Sequence, residues 1–319
     1  MEEAWYVDRA HEPNGEIGFG YEISEEAREI DLTNNRLTNI QGLNHCLHLQ
    51  KLVLRQNQIG VVKGLEHSGE LVELDLYMNK ITELSSTSLA NKRKLLRLDL
   101  SFNDLRDLAN FPVNQLPALE ELYLISNKIR VIQGLAGLKS LTLLELGDNR
   151  IREIQNLDSL VSLDSLWLGR NKIERLQGLD ALENLRILSL QSNRITRLEN
   201  LDRLVRLEEL YLSHNGITKM EGLDNLKQLR VLDLGANRVE HIENVSHLYL
   251  LEEFWMNNNK LESLDELELL QNATRLQTIY LEGNPLAGQA GYEQKVIQIL
   301  PSSLSQLNAE PIDRDATQT

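Results

Sequence analysis

The stretch "LYLSHNGITKMEGLDNLKQL", residues 210–229, decides the fold. Leu210 and Leu212 alternate with Tyr211, which predicts a short strand with its leucines on one side and the tyrosine on the other. From Ile217 to Leu229, apolar residues recur at every third position. This spacing favours tight turns or short 3₁₀ segments over a full α-helix.

The LxLxxN core of this stretch occurs twelve times along the 319-residue chain. Successive copies lie 22 residues apart, except for two steps of 24 and a last step of 25. A motif of this kind at this period is the signature of a leucine-rich repeat. The asparagines that close the copies are Asn35, Asn57, Asn79, Asn103, Asn127, Asn149, Asn171, Asn193, Asn215, Asn237, Asn259 and Asn284.

A single repeat is too small to fold alone. Burying about seven aliphatic side chains contributes roughly 10–20 kcal/mol, whereas ordering one repeat costs about 30 kcal/mol. The repeats must therefore stack. We predict an α/β leucine-rich-repeat solenoid with a curved parallel β-sheet on the concave face and short 3₁₀ or turn segments on the convex face. The asparagine amides, with two donors and an acceptor, should satisfy backbone groups in the turn after each strand and form a ladder.

The pattern divides the chain into three parts. Residues 1–28 are predicted to form an acidic N-terminal arm and cap, 29–284 the twelve repeats, and 285–319 a C-terminal cap and tail. Within the first part we expect a flexible arm over residues 1 to about 20, then a short helix, "EEAREI", capped by Ser24. Near the other end, Tyr292, Val296 and Leu300 have helical spacing, and Pro301 should end that helix.

Composition narrows the functional classes. The net charge of −15, from 33 basic and 48 acidic residues, disfavours nucleic acid and anionic membrane surfaces and favours a partner with basic patches. No apolar run is long enough to span a membrane, and the N-terminus lacks the apolar segment of a secretory signal. A single cysteine is typical of a reducing compartment, so we expect the nucleus and cytoplasm.

Nothing in the sequence predicts catalysis, a cofactor or a metal. The "HCLH" run places Cys46 where other repeats have leucine, for example Leu138 and Leu160, so we expect it in the core. A calcium site from Glu73, Asp75 and Asp99 is disfavoured because a regular strand rarely converges enough oxygens. No nucleotide-binding loop, zinc-protease or kinase motif occurs. We expect a protein that is not an enzyme.

The strand residue four positions before each asparagine should point away from the core. This row contains five aromatic and five acidic residues and no basic one: Asp31, Val53, Asp75, Asp99, Tyr123, Glu145, Trp167, Ser189, Tyr211, Asp233, Trp255 and Tyr280. Two positions earlier on the same face lie Glu73, Glu121, Glu209 and Glu253.

Strand propensity accounts for some of these aromatic residues. Two of the three tryptophans, however, fall in the row, and rings of that size on an open face are typically interface anchors. We therefore predict a protein-binding concave face. Trp255 should be presented on it, with Phe254 and Met256 in the core. The predicted binding residues are Asp75, Asp99, Tyr123, Glu145, Trp167, Tyr211, Asp233, Glu253, Trp255 and Tyr280.

Several stretches resemble one family. "LYLSHNGI", "LEEFWMNN", "LWLGRNKIERLQGLDAL" and "TIYLEGNPL", with the final 25-residue step and the cap, resemble the short-repeat leucine-rich regulatory subunits of protein phosphatase-1, over about residues 29–305. The resemblance implies a non-enzymatic regulator, monomeric by itself, that holds the phosphatase catalytic subunit on its concave face. It also implies a ternary complex with a third inhibitor protein and a role in phosphatase maturation.

The resemblance further implies a set of contact residues. Tyr123 and Trp167 match the family by residue class only. The alternative left open is a scaffold of the same fold for another protein partner, axonemal or cytoskeletal. The implied contacts are Asp99, Tyr123, Glu145, Trp167, Asp233, Glu253, Trp255 and Tyr280.

Overall fold

The computed structural model describes residues 5–6, 23–85 and 87–312. The chain forms two compact units. Unit 1 holds the chain up to Ile151 together with Gln155–Leu163, and unit 2 holds Arg152–Ile154 and the chain from Asp164 onward. Each unit is a stack of short parallel strands joined by turns.

In unit 1 the described strands pair in sequence order, all parallel, so that equivalent residues of successive repeats oppose one another. Asp75, for example, opposes Asp99, which opposes Tyr123. A 3₁₀ helix, Val113–Gln115, lies in one connection. The strands are β1 (Trp5–Tyr6), β2 (Glu29–Asp31), β3 (Lys51–Val53), β4 (Glu73–Asp75), β5 (Arg97–Asp99), β6 (Glu121–Tyr123) and β7 (Leu143–Glu145).

Unit 2 repeats this arrangement. Its strands are β8 (Ser165–Trp167), β9 (Ile187–Ser189), β10 (Glu209–Tyr211), β11 (Val231–Asp233), β12 (Glu253–Trp255), β13 (Thr278–Tyr280), β14 (Gln306–Leu307) and β15 (Glu310–Pro311). β8 to β14 pair in parallel, and β15 turns back antiparallel to β14. Two 3₁₀ helices, Asp265–Leu270 and Pro285–Gly288, and the α-helix α1 (Tyr292–Ile299) complete the unit.

The core follows the sequence period. Leu210 and Leu212 are fully buried, as are the apolar residues spaced three apart after them. In that segment the N–H of Leu226 donates to the carbonyl of Leu223, 3.0 Å away, and the N–H of Leu229 donates to that of Leu226 at 3.1 Å. These are successive tight turns. The prediction of a leucine-rich-repeat solenoid with a parallel sheet and short turn segments is confirmed.

The asparagine ladder is also confirmed. The Oδ1 of Asn57 accepts the backbone N–H groups of Asn35 and Leu37, at 3.0 and 2.9 Å. Its Nδ2 donates to the carbonyls of Leu32 and Leu54, both at 2.9 Å. One side chain therefore ties two repeats together and satisfies buried groups that water cannot reach.

The predicted N-terminal helix is wrong. The N–H of Ala27 donates to the carbonyl of Ser24 at 3.1 Å, which makes a single turn, and β2 begins at Glu29. Because β2 pairs with β3, the backbone of Ile30 is extended. This pairing overrides the local helix propensity of the segment. The Ser24 hydroxyl accepts the N–H of Glu26 at 3.2 Å, so it caps this turn rather than a helix.

Within the arm expected to be flexible, Trp5–Tyr6 forms β1 and pairs with β2. The rest of that arm, residues 1–4 and 7–22, lies outside the described residues. At the other end the predicted helix is confirmed as α1, with Tyr292 and Val296 buried. No helix in the described part of the chain is long and apolar enough to cross a membrane.

Candidate partner-binding face

On β8 to β13 of unit 2, two side chains per strand point away from the leucine core. We call this surface the unit 2 face. None of its residues is lysine or arginine: Ser165, Trp167, Ile187, Ser189, Glu209, Tyr211, Val231, Asp233, Glu253, Trp255, Thr278 and Tyr280.

Trp255 is held on this face by a hydrogen bond and by a neighbouring ring. Its side chain is half-buried, and its indole Nε1 donates to Oε2 of Glu253 at 3.1 Å. The ring lies 5.4 Å from that of Tyr280, tilted by 57°. Phe254 and Met256, on the other side of the strand, are fully buried. The predicted orientation of all three residues is therefore confirmed.

A second aromatic pair lies further along the same face. The rings of Trp167 and Tyr211 stack with centroids 6.4 Å apart and an interplanar angle of 20°. They come from β8 and β10, so they meet across β9, where the face residue is the small Ser189. The Tyr211 hydroxyl donates to Oε2 of Glu209 at 2.8 Å. The face thus presents two pre-packed aromatic pairs.

The carboxylates of the face are held by nearby donors. Asp233 is 3% exposed and accepts the N–H of Gly235 at 2.9 Å, while burial raises its pKa. A Cβ at position 235 would lie 2.7 Å from Oδ1 of Asn257, so the Asn257 side chain packs closely over this turn. Glu209 and Glu253, each bonded to the aromatic residue two positions later, are the more accessible carboxylates of the face.

Unit 1 carries the other predicted site residues on its own sheet face. Asp75 and Asp99 are largely buried, and Asp75 forms an ion pair with Arg55. The Tyr123 hydroxyl donates to Oε2 of Glu121 at 2.8 Å. Burial raises the pKa of Glu145 to about 7, although the N–H of Gly147, 2.7 Å from Oε1, favours the charged form.

The unit 1 sheet face is less uniformly acidic than the predicted row of strand residues indicated. Lys51 contacts Glu73 at 3.2 Å, and Arg97 contacts Glu121 at 3.6 Å while its guanidinium lies 4.9 Å from the Tyr123 ring. Lys51 and Arg97 lie two positions before the row residues of their strands, in "KLV" and "RLD". The predicted row does not include these positions, so it contained no basic residue. The unit 2 face, in contrast, carries Glu209, Asp233 and Glu253 and no lysine or arginine among its own residues.

The "HCLH" segment behaves as expected. Cys46 is fully buried and burial raises its thiol pKa, while Nε2 of His45 lies 3.0 Å from the carbonyl of Ile23. Across residues 23–85 and 87–312, no three His, Cys, Asp or Glu side chains gather where they could hold a metal ion.

Sequence family models for leucine-rich repeats match residues 45–62, 93–151, 139–181, 161–203 and 204–311. This chain belongs to the leucine-rich-repeat proteins. Solved members of the same fold include an internalin, InlF, from Listeria monocytogenes, at 23% identity and a TM-score of 0.70 over 90% of this chain and 88% of that one. A leucine-rich-repeat protein from Leptospira interrogans has 27% identity and a TM-score of 0.69 over 85% and 76%.

Two curated relatives carry functional names. The Arabidopsis thaliana protein named protein phosphatase 1 regulatory inhibitor subunit PPP1R7 homolog is 40% identical over 144 residues, 43% of each chain. The Dictyostelium discoideum protein named protein phosphatase 1 regulatory subunit pprA is 43% identical over 54 residues, 17% of this chain and 16% of that protein. Both matches span less than half of the relative.

Proposed function

We propose that this leucine-rich-repeat protein is a non-catalytic regulatory subunit that binds the catalytic subunit of protein phosphatase-1 through its sheet face. The observation that carries the proposal is the partly exposed Trp255, bonded to Glu253 and packed on Tyr280 in a face without lysine or arginine. The names of the Arabidopsis and Dictyostelium relatives support protein phosphatase-1 as the partner.

The geometry suits a partner with both apolar and basic contacts. Trp255 and Tyr280 offer ring surface to an apolar side chain, and Glu209 and Glu253 offer carboxylates to lysine or arginine. Because Trp255 and Tyr211 already hydrogen-bond these carboxylates, little side-chain freedom is lost on binding. On unit 1 we propose supporting contacts from Tyr123 and Glu145; Asp75 and Asp99 are buried there, so we assign them no direct contact.

The family resemblance extends the proposal in two respects. We infer that the bound phosphatase is regulated or matured in the nucleus and cytoplasm. We also infer a ternary complex with a third inhibitor protein. Both inferences can be tested in cell extracts by immunoprecipitation of the full chain followed by blotting for the phosphatase and that inhibitor.

The decisive experiment measures affinity for the purified phosphatase catalytic subunit by biolayer interferometry. A central aromatic anchor contributes roughly 2–4 kcal/mol, so Trp255→Ala should weaken binding by about 30- to 1,000-fold. Its melting temperature should stay close to wild type because Phe254 and Met256 hold the strand from the core side. Phe254→Ala should do the opposite and destabilise by about 3–5 kcal/mol.

The matched control is Tyr249→Ala. Tyr249 is 58% exposed and lies in the turn between β11 and β12, away from the face. Its removal should leave affinity unchanged. If Trp255→Ala binds as tightly as wild type, or if it unfolds, the proposed anchor is wrong. If a pull-down retains tubulin or dynein chains and no phosphatase, the chain is a scaffold for a cytoskeletal or axonemal partner instead.

A further inference from the structure

Unit 1 presents an exposed apolar cluster immediately after β4 and β5. We call Tyr77, Met78 and Phe102 the edge patch. Met78 is 50% exposed and Phe102 is 41% exposed. The rings of Tyr77 and Phe102 lie 5.0 Å apart with an interplanar angle of 51°. The patch thus combines a packed pair of rings with an exposed thioether that follows Tyr77 in the chain.

The backbone under this patch is unfavourable for the residues it carries. Met78 and Phe102 each have a φ of 56°, the left-handed region. The residue before the ladder asparagine is left-handed in other repeats too, but there it is small or polar, as at Asn34, Ser126 and Ala236. Bulky residues are rare at positive φ. The fold therefore accepts an asparagine here more readily than methionine or phenylalanine.

Charge around the patch favours an acidic ligand. The Arg55 guanidinium lies 5.5 Å from the Tyr77 ring, and its side chain is 45% exposed. Its ion-pair partner Asp75 is only 5% exposed. Lys80 is exposed and its Nζ donates to the neutral amide of Gln58 at 2.9 Å, with no carboxylate partner among the described residues. The other carboxylates whose charges act on Arg55 are Asp99, which is buried, and Glu73, which pairs with Lys51. Since Asp75 is covered as well, an approaching molecule meets the exposed Arg55 guanidinium first.

We propose that the edge patch is a second docking surface, which binds a peptide segment of another protein with a bulky apolar anchor flanked by carboxylates. The anchor packs on Tyr77 and Phe102, and the flexible Met78 adapts to its shape. Arg55 and Lys80 contact the flanking carboxylates. This preference is opposite in charge to that of the unit 2 face, and it does not depend on the proposed phosphatase partner.

The test uses the double variant Met78→Asn/Phe102→Asn of the full chain. Asparagine occupies the same position natively at Asn34 and Asn258, with φ of 59° and 55°. The double variant should therefore melt at or above the wild-type temperature while losing the patch.

A random 12-residue phage-displayed peptide library is selected on the wild-type chain, with counter-selection on the double variant. Because both proteins carry the unit 2 face, peptides that bind that face are removed.

The expected result is enrichment of peptides with acidic residues around an aromatic or aliphatic anchor. An enriched peptide, labelled with fluorescein, should bind the double variant at least tenfold more weakly than wild type in fluorescence polarisation. Lys80→Gln leaves the patch intact and should weaken the same peptide about three- to tenfold, which tests the proposal even if the double variant misfolds.

Three outcomes would overturn the proposal. The first is no enrichment, and the second is enrichment of peptides without carboxylates. The third is equal binding to wild type and Lys80→Gln. If the double variant loses the phosphatase catalytic subunit and no peptide is enriched, the patch belongs to the phosphatase surface instead.

Discussion

At the scale of residues, a carboxylate two positions before an aromatic side chain recurs on the face strands. Tyr123 donates to Glu121, Tyr211 to Glu209 and Trp255 to Glu253. Burial, followed by the hydrogen bond to Glu121, raises the pKa of Tyr123 to about 12. The phenol therefore keeps its proton at neutral pH and holds the carboxylate in place. Each such pair orients an anion before a partner arrives.

Glu145 gives a pH-dependent prediction. Burial raises its pKa to about 7, above its usual value in an unfolded chain. The native state therefore binds this proton more tightly, and the stability it contributes is full below about pH 4.5 and is lost as pH rises to about 7. Relative to Glu145→Gln, wild type should lose about 1–3 kcal/mol between pH 5 and pH 8.

Urea denaturation at four pH values measures this difference. Glutamine keeps an oxygen that can accept the N–H of Gly147, so the comparison isolates the charge. Glu183→Gln, which removes an exposed carboxylate that has no hydrogen bond or ion pair to any described residue, should follow wild type. Identical pH profiles for wild type and Glu145→Gln would mean that Glu145 is solvated in the native state.

The sequence predicted the site only in part. Alternation along a strand is enough to place Trp255 on the face and Phe254 in the core, because strand geometry leaves no other choice. The raised pKa of Glu145 and the ion pairs of Lys51 and Arg97 depend on neighbouring strands. Those neighbours are 22 or more residues away in sequence, so a single row of positions could not reveal them.

At the scale of elements, unit 2 has an alternating ladder of charges beside its strands. Arg186 contacts Asp164 at 3.5 Å and forms two bonds to Glu208, at 2.9 and 3.0 Å. Arg230 contacts Glu208 at 3.6 Å and forms two bonds to Glu252, at 3.1 and 2.8 Å. Glu208 thus joins two arginines from different repeats.

Removing that central charge should weaken the ladder. Glu208→Gln should lower the free energy of unfolding by about 0.5–1 kcal/mol at low salt, since exposed ion pairs contribute little individually and networks somewhat more. The difference from wild type should shrink in 1 M NaCl, because salt screens exposed charges. Glu183→Gln again serves as the control for loss of one negative charge. If the lower free energy of unfolding of Glu208→Gln persists at high salt, the effect comes from packing rather than from charge.

The periodic elements were predictable and the departures from the period were not. Strands and turns follow from leucine spacing, because each buried position is filled in every repeat. Lys92 occupies the core position held by Leu138 and Leu160 in other repeats, yet it is fully buried. Its Nζ donates to the carbonyls of Leu65 and Ala90, at 2.6 and 2.8 Å. Ala90 belongs to the same 24-residue repeat as Lys92, whereas Leu65 belongs to the 22-residue repeat before it, so the lysine joins two successive repeats.

At the scale of the whole molecule, a net charge of −15 attracts a basic partner to any part of the surface, whereas the binding that we propose at the unit 2 face depends on the carboxylates of that face. These two effects predict different responses to mutation. Glu209→Gln/Glu253→Gln removes two charges from the face. Glu268→Gln/Glu293→Gln removes two exposed charges from the 3₁₀ helix Asp265–Leu270 and from α1.

If the local field steers association with the phosphatase catalytic subunit, raising salt should slow wild-type association more than it speeds dissociation. The face variant should associate several-fold more slowly at low salt and show a flatter salt dependence. The outer variant should stay close to wild type, although its net charge is the same as that of the face variant. Stopped-flow fluorescence between 50 and 500 mM NaCl measures both rate constants. Equal association rates for the two variants would mean that net charge alone attracts the partner. If the wild-type association rate does not change with salt, the aromatic contacts rather than the charges account for recognition.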